Sequence, residues 1–141
     1  MLRRLLFVLA FVLMTTPAVA QENISWDVLA QVKLVKTDAG KYVPEFQEPV
    51  QALSTQQVAL KGFMLPLDQS PKQQHFILSA NPVANCFYCL PGGPESLIEV
   101  KLDEAVDFSY DPITISGTLE LLADDPMGMY YRLNNAKVES D

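Results

Sequence analysis

Two long apolar stretches of this chain each carry a glycine at mid-length, and that pattern constrains the fold more than any other. Residues 57–65 read as a strand with Gly62 in its middle, and residues 113–122 repeat the pattern around Gly117. A glycine inside a strand marks a bulge, a tight bend or a close backbone approach. Strands bent in this way suit a sheet that closes on itself. Further strands are expected over residues 32–36, 42–43, 74–79, 96–102 and 130–138. Thr37-Asp38-Ala39-Gly40-Lys41 reads as a hairpin turn with Gly40 available for positive φ. Pro44 and Pro49 bracket a polar connection poorly suited to a regular strand. Ser25 is placed to cap one or two helical turns in which Trp26, Leu29 and Ala30 share a face. No stretch keeps helical period for more than two turns. The expectation is a mainly β domain, a small OB-like five-stranded Greek-key barrel with a short N-terminal helical turn. An immunoglobulin-like sandwich fits less well, since it wants about seven strands and a Cys–Trp–Cys spacing.

The first twenty residues read as an address. Arg3 and Arg4 precede an apolar run over 5–14, followed by Thr15-Thr16-Pro17 and Ala18-Val19-Ala20. That order is a secretory signal peptide with cleavage after Ala20, giving 1–20 as signal and 21–141 as one domain. The apolar run is shorter than the roughly 20 residues of a spanning helix, so no stable membrane insertion is expected after cleavage. The arginine pair hints at the twin-arginine route, but the strongly apolar run favours the general secretory path. No Cys follows the cleavage site to carry a lipid anchor. Loss of Arg3 and Arg4 takes the formal charge from −7 to −9. Such an acidic export leaves no electrostatic grip on nucleic-acid phosphates. One His and two Cys also exclude multi-metal, haem-rich and disulfide-dense schemes.

Specific chemistry is confined to one loop and its neighbour. Residues 80–95 hold Cys86-Phe87-Tyr88-Cys89 together with Pro82, Pro91 and Pro94. An oxidising compartment permits a Cys86–Cys89 disulfide that stiffens the loop, though closing so short a loop yields little entropy. The same spacing chelates Zn2+ or Cu(I), with His75 as a third ligand and Glu95, water or a partner completing the set. A redox reading also exists, but Pro91-Gly92-Gly93-Pro94 prevents the helix that would activate the thiol. His75 is read either as a half-buried strand residue or as that third ligand. Phe87 and Tyr88 read as loop anchors, and Trp26 as core or as a lid over one barrel end. Asp103, Glu104, Asp107 and Asp111 read as a solvated face without calcium-loop spacing, and Asp124-Asp125 as a turn. A single His builds no convincing Ser/His/Asp arrangement, and no phosphate-binding glycine loop is present. No catalytic residue is therefore assigned.

Gly62-Phe63-Met64-Leu65-Pro66-Leu67, His75-Phe76-Ile77-Leu78, the Cys86–Cys89 segment and Pro91-Gly92-Gly93-Pro94-Glu95 together resemble domain-of-unknown-function family 3299, exported bacterial proteins. The resemblance continues through Ile115-Ser116-Gly117-Thr118-Leu119 and Tyr131-Arg132-Leu133. It implies an OB-like barrel and brings no established activity. It also implies a neighbourhood of ABC-transporter components and zinc-responsive proteins. The expected role is a periplasmic accessory or binding protein whose partner is an ABC-transporter system or another envelope protein. The alternatives are a thiol–disulfide redox protein and a purely structural interaction module.

Overall fold

The computed structural model describes residues 20–82 and 92–140. In chain order these form β1 (Glu22–Asn23), α1 (Trp26–Leu29), β2 (Val32–Lys36), β3 (Tyr42–Phe46), α2 (Glu48–Gln51), β4 (Gln57–Pro66) and β5 (Lys72–Ser79). A 3-10 turn (Pro94–Ser96), β6 (Leu97–Asp107), β7 (Ile113–Leu121) and β8 (Tyr131–Glu139) complete them. Five strands close in the order β4-β5-β6-β8-β7, and β7 pairs back onto β4. Only β6 and β8 run parallel within the ring. This is the expected OB-like barrel. The hairpin of β2 and β3 stands apart as a two-stranded sheet.

β4 closes the ring by changing partners along its length. Gln57 to Gly62 pair with β7, and Phe63 to Pro66 pair with β5. The change falls at Gly62, where a Cβ would lie 2.7 Å from the Ser79 carbonyl oxygen, 2.9 Å from Leu78 Cγ and 3.2 Å from the Trp26 ring. Close approach is therefore why glycine sits here. At Gly117 a Cβ would meet Ala136 and the Asn134 carbonyl at 3.0 Å, beside a register shift in the pairing of β7 with β8. Gly40 takes φ +81° in the β2–β3 turn, as the sequence implied.

Strand alternation sends Met64, Phe76, Leu78, Ile98, Val100, Ile115, Leu119, Tyr131 and Leu133 into one buried core. Leu29, Phe46, Val50 and Leu53 from the N-terminal elements join it. Tyr131 fixes that junction: its hydroxyl donates to the Leu29 carbonyl at 2.5 Å, and burial, reinforced by the Glu95 charge, raises its pKa. Trp26 packs half-buried against the core and its indole N–H donates to the Lys61 carbonyl at 2.8 Å. Ser25 occupies the N-cap position of α1 without a side-chain cap bond.

β5 begins at Lys72, two residues earlier than expected, the connection around Pro49 holds the short α2, and two boundaries differ further. β3 runs through Pro44, which stands opposite Leu34. Its sheet has only two strands, so a missing N–H on the open edge costs no ladder bond. β6 extends to Asp107, although residues 103–107 are mostly exposed and carry three acids, because Val106 and Asp107 pair with Gln73 and Lys72 of β5.

Candidate functional site

The outward side chains of four strands meet in a charged row. Cross-strand register places Arg132 of β8 beside Glu99 of β6 on one side and Glu120 of β7 on the other. Arg132 Nε donates to Glu99 Oε2 at 2.6 Å, and a terminal nitrogen reaches Glu120 Oε2 at 3.4 Å. The other terminal nitrogen lies 3.6 Å from Asp125 Oδ1. Asn134 donates to the same Glu120 oxygen at 2.7 Å. Asp125 Oδ2 accepts from the backbone N–H groups of Met127 (2.9 Å) and Met129 (3.2 Å), so it holds the turn before β8.

His75 joins this row from β5. Its Nε2 lies 2.6 Å from Glu99 Oε1, and Lys101 Nζ lies 3.9 Å from the same oxygen. The imidazole is half-exposed, whereas the Glu99 side chain is 12% exposed. Burial acts to raise the Glu99 pKa, but hydrogen bonds from Arg132 and His75 and the charges of Arg132 and Lys101 outweigh it and hold it below its ordinary value. Glu99 raises the pKa of Arg132 in return through their hydrogen bond.

Chemically, this arrangement disfavours anions. Arg132 faces three carboxylates, which offset its positive charge. His75 is accessible, as are Lys101 and Glu120, and a carboxylate orients it on one nitrogen. Next to the row lies a small outer apolar cluster of Leu65, Ile77 and Leu97, with Met129 packed against it. Ile77 stands between Leu65 and Glu99 in the same cross-strand line.

Cys86 and Cys89, with Phe87 and Tyr88, lie outside the described residues, so the expected Cys86/Cys89/His75 set is represented here by His75 alone. Among the described residues, no three His, Cys, Asp or Glu side chains converge to hold a metal ion. The strands flanking the Cys segment do meet: Ser79 pairs with Leu97, and the Ala80 N–H donates to the Ser96 carbonyl at 3.0 Å. Asp103, Glu104, Asp107 and Asp111 are exposed, as read from sequence.

Sequence reasoning missed Glu99, Glu120, Asp125 and Arg132. The three strand charges sit at outward positions between inward apolar residues, as Glu99 does between Ile98 and Val100 and Arg132 between Tyr131 and Leu133, whereas Asp125 lies in the turn that the sequence indicated. Alternation identifies the strand residues as surface, but only the pairing of β8 with both β6 and β7 makes them neighbours.

A family model described as a protein of unknown function (DUF3299) matches residues 15–140. The crystal structure of a DUF3299 family protein from Pseudomonas aeruginosa PAO1 is similar in fold, with a TM-score of 0.57 at 17% sequence identity. The similarity covers 86% of this chain and 98% of that one. No curated protein matches the chain significantly.

Proposed function

The chain belongs to the DUF3299 family, and from that premise we propose that it is an exported binding module without catalysis of its own. In this reading His75, Cys86 and Cys89 hold one Zn2+ or Cu(I) ion, in the service of envelope transport or metal homeostasis. The observation that carries it is the contact between His75 Nε2 and Glu99 Oε1 at 2.6 Å. Histidines that ligate metals characteristically give their second ring nitrogen to a carboxylate, which fixes tautomer and ring orientation. With Nε2–H donated to Glu99, the lone pair lies on Nδ1. Chain length allows the rest. At about 3.3 Å per strand residue, His75 lies about 13 Å before Ser79. The seven residues from Ser79 to Cys86 span up to about 23 Å when extended. An acidic protein also draws cations toward itself.

Titrating the reduced mature protein with Zn2+ and with Cu(I) tests the proposal. One equivalent is expected for the parent chain, and none at comparable affinity for Cys86→Ser/Cys89→Ser. His75→Ala is expected to weaken binding strongly, and Glu99→Gln by about 10–100-fold through loss of the orienting carboxylate. Equal, negligible uptake by all forms would refute the metal site. Protein taken directly from the periplasm with both thiols oxidised and no metal would instead assign the pair to a structural bridge.

A further inference from the structure

We propose that the groove between the β4–β5 turn and the β6–β7 loop docks an extended, positively charged segment of a partner protein that carries apolar side chains. The groove encloses about 540 Å³ and is walled by Leu67, Pro71, Phe108 and Tyr110. Leu67 is 53% and Tyr110 81% exposed, whereas most outward residues of the barrel strands are polar. Phe108 and Tyr110 stack edge to face at 4.8 Å, so the aromatic wall is braced. Proline-bearing extended segments dock against such walls, and a Lys or Arg on the segment gains further from the ring faces.

Charge selects the sign of the occupant. Asp68 lines the groove, and among the described residues no Lys or Arg does. The strand and loop that bear the aromatic wall add Asp103, Glu104 and Asp111, all exposed. Lys72, the nearby cation, is already paired with Asp107 at 2.8 Å. The whole chain's negative charge extends the same field outward and steers a basic partner to this end.

Gln73 is an independent sign of a missing donor. It lines the groove and is 2% exposed. Its Nε2 donates to the Ser70 carbonyl at 2.5 Å and to Asp68 Oδ1 at 3.3 Å, which fixes the amide's orientation. Its Oε1 is then buried without a hydrogen-bond partner. Buried acceptors are nearly always satisfied, and a ligand N–H is one way to satisfy this one. A peptide suits the site better than a compact small molecule, because the two proud side chains stand on opposite loops and need a span to cover both.

Fluorescence anisotropy with a labelled decapeptide that alternates lysine with leucine and proline tests the docking. Saturable binding is expected, weakening several-fold as salt rises from about 50 to about 300 mM. Leu67→Ser/Tyr110→Ser is expected to weaken it about tenfold or more, as central apolar anchors do. Both side chains are exposed, so an unchanged melting temperature will show that the fold is kept. Asp103→Asn/Asp111→Asn is expected to weaken binding and flatten its salt dependence. No saturable binding, or equal binding of a lysine–serine peptide or by the Leu67/Tyr110 variant, overturns the proposal. Full competition by benzyltrimethylammonium would make the groove a small-cation site and also overturn it. So would concentration-dependent dimerisation abolished by Lys33→Glu/Lys36→Glu, which would make the occupant the basic β2–β3 hairpin of a second copy.

Discussion

At the scale of residues, the informative feature is one arginine shared by three acids across three strands and a turn. Glu99 is its closest partner and the most shielded of the two strand carboxylates. Glu99→Gln keeps the shape and removes the charge, so Arg132 retains Glu120 and Asp125. A loss of about 1–3 kcal/mol at neutral pH is expected, the usual cost of degrading a charged hydrogen bond in a shielded site. The folded protein holds the Glu99 pKa below its ordinary value of 4.5. Its stabilisation is therefore complete above that value and lost as pH falls through the depressed folded pKa. Urea unfolding of both proteins should show their difference shrinking below about pH 4.5, and a difference independent of pH would contradict this linkage. Arg132→Met should cost more, about 2–4 kcal/mol, because it takes the guanidinium from both Glu99 and Asp125, whose side chains are 12% and 8% exposed. None of this is legible in the sequence, where Glu99 and Arg132 lie 33 positions apart. His75 was legible, because a lone histidine beside a Cys pair raises a ligand question wherever it falls.

At the scale of elements, the glycines separate two causes that look alike in a sequence. Gly62→Ala meets the Ser79 carbonyl oxygen at 2.7 Å and Leu78 Cγ at 2.9 Å, and crowds the Trp26 ring at 3.2 Å. Overpacking of this kind costs about 1–3 kcal/mol, and the single Trp should report it as a shifted emission. Gly128 has open space around it but φ +74°, so Gly128→Ala is strained only through the backbone. About 1–2 kcal/mol is expected there, with Trp26 emission unchanged. Gly128→Asn should recover part of the loss, because Asn tolerates the left-handed region. If both Ala variants moved Trp26 emission alike, the local account of Gly62 would be wrong. The glycine-bent strands made barrel closure readable from sequence, since only a bent strand such as β4 serves two partners in turn. The outer half of β6 was not readable. Residues 103–107 have no apolar alternation, and only pairing with Lys72 and Gln73 makes them a strand.

At the scale of the molecule, the N-terminal segment shows where the barrel's own pairing begins among the described residues. Glu22 and Asn23 pair with Val58 and Ala59, and the Ile24 N–H donates to the Ala59 carbonyl at 3.0 Å. Trp26 then covers Gly62, and Leu29 receives the Tyr131 hydroxyl. From Glu22 onward the segment is attached to the barrel, so the proposed cleavage after Ala20 would leave only Gln21 ahead of the first pairing. A processing site even four residues further on would remove β1 and the Ile24 bond. Export from a cell is therefore expected to yield a chain of mass matching residues 21–141, read by intact mass spectrometry of the periplasmic fraction. A recombinant chain starting at Trp26 should fold but lose about 1–2 kcal/mol, since it forfeits the β1 hydrogen bonds and the packing of Ile24 on the core. For a domain of this size that is a fall of several degrees in melting temperature. Equal melting temperatures for the two chains would mean that β1 adds nothing to the barrel. The position of the cleavage would then have to be set by the signal alone rather than by the first residue the fold uses.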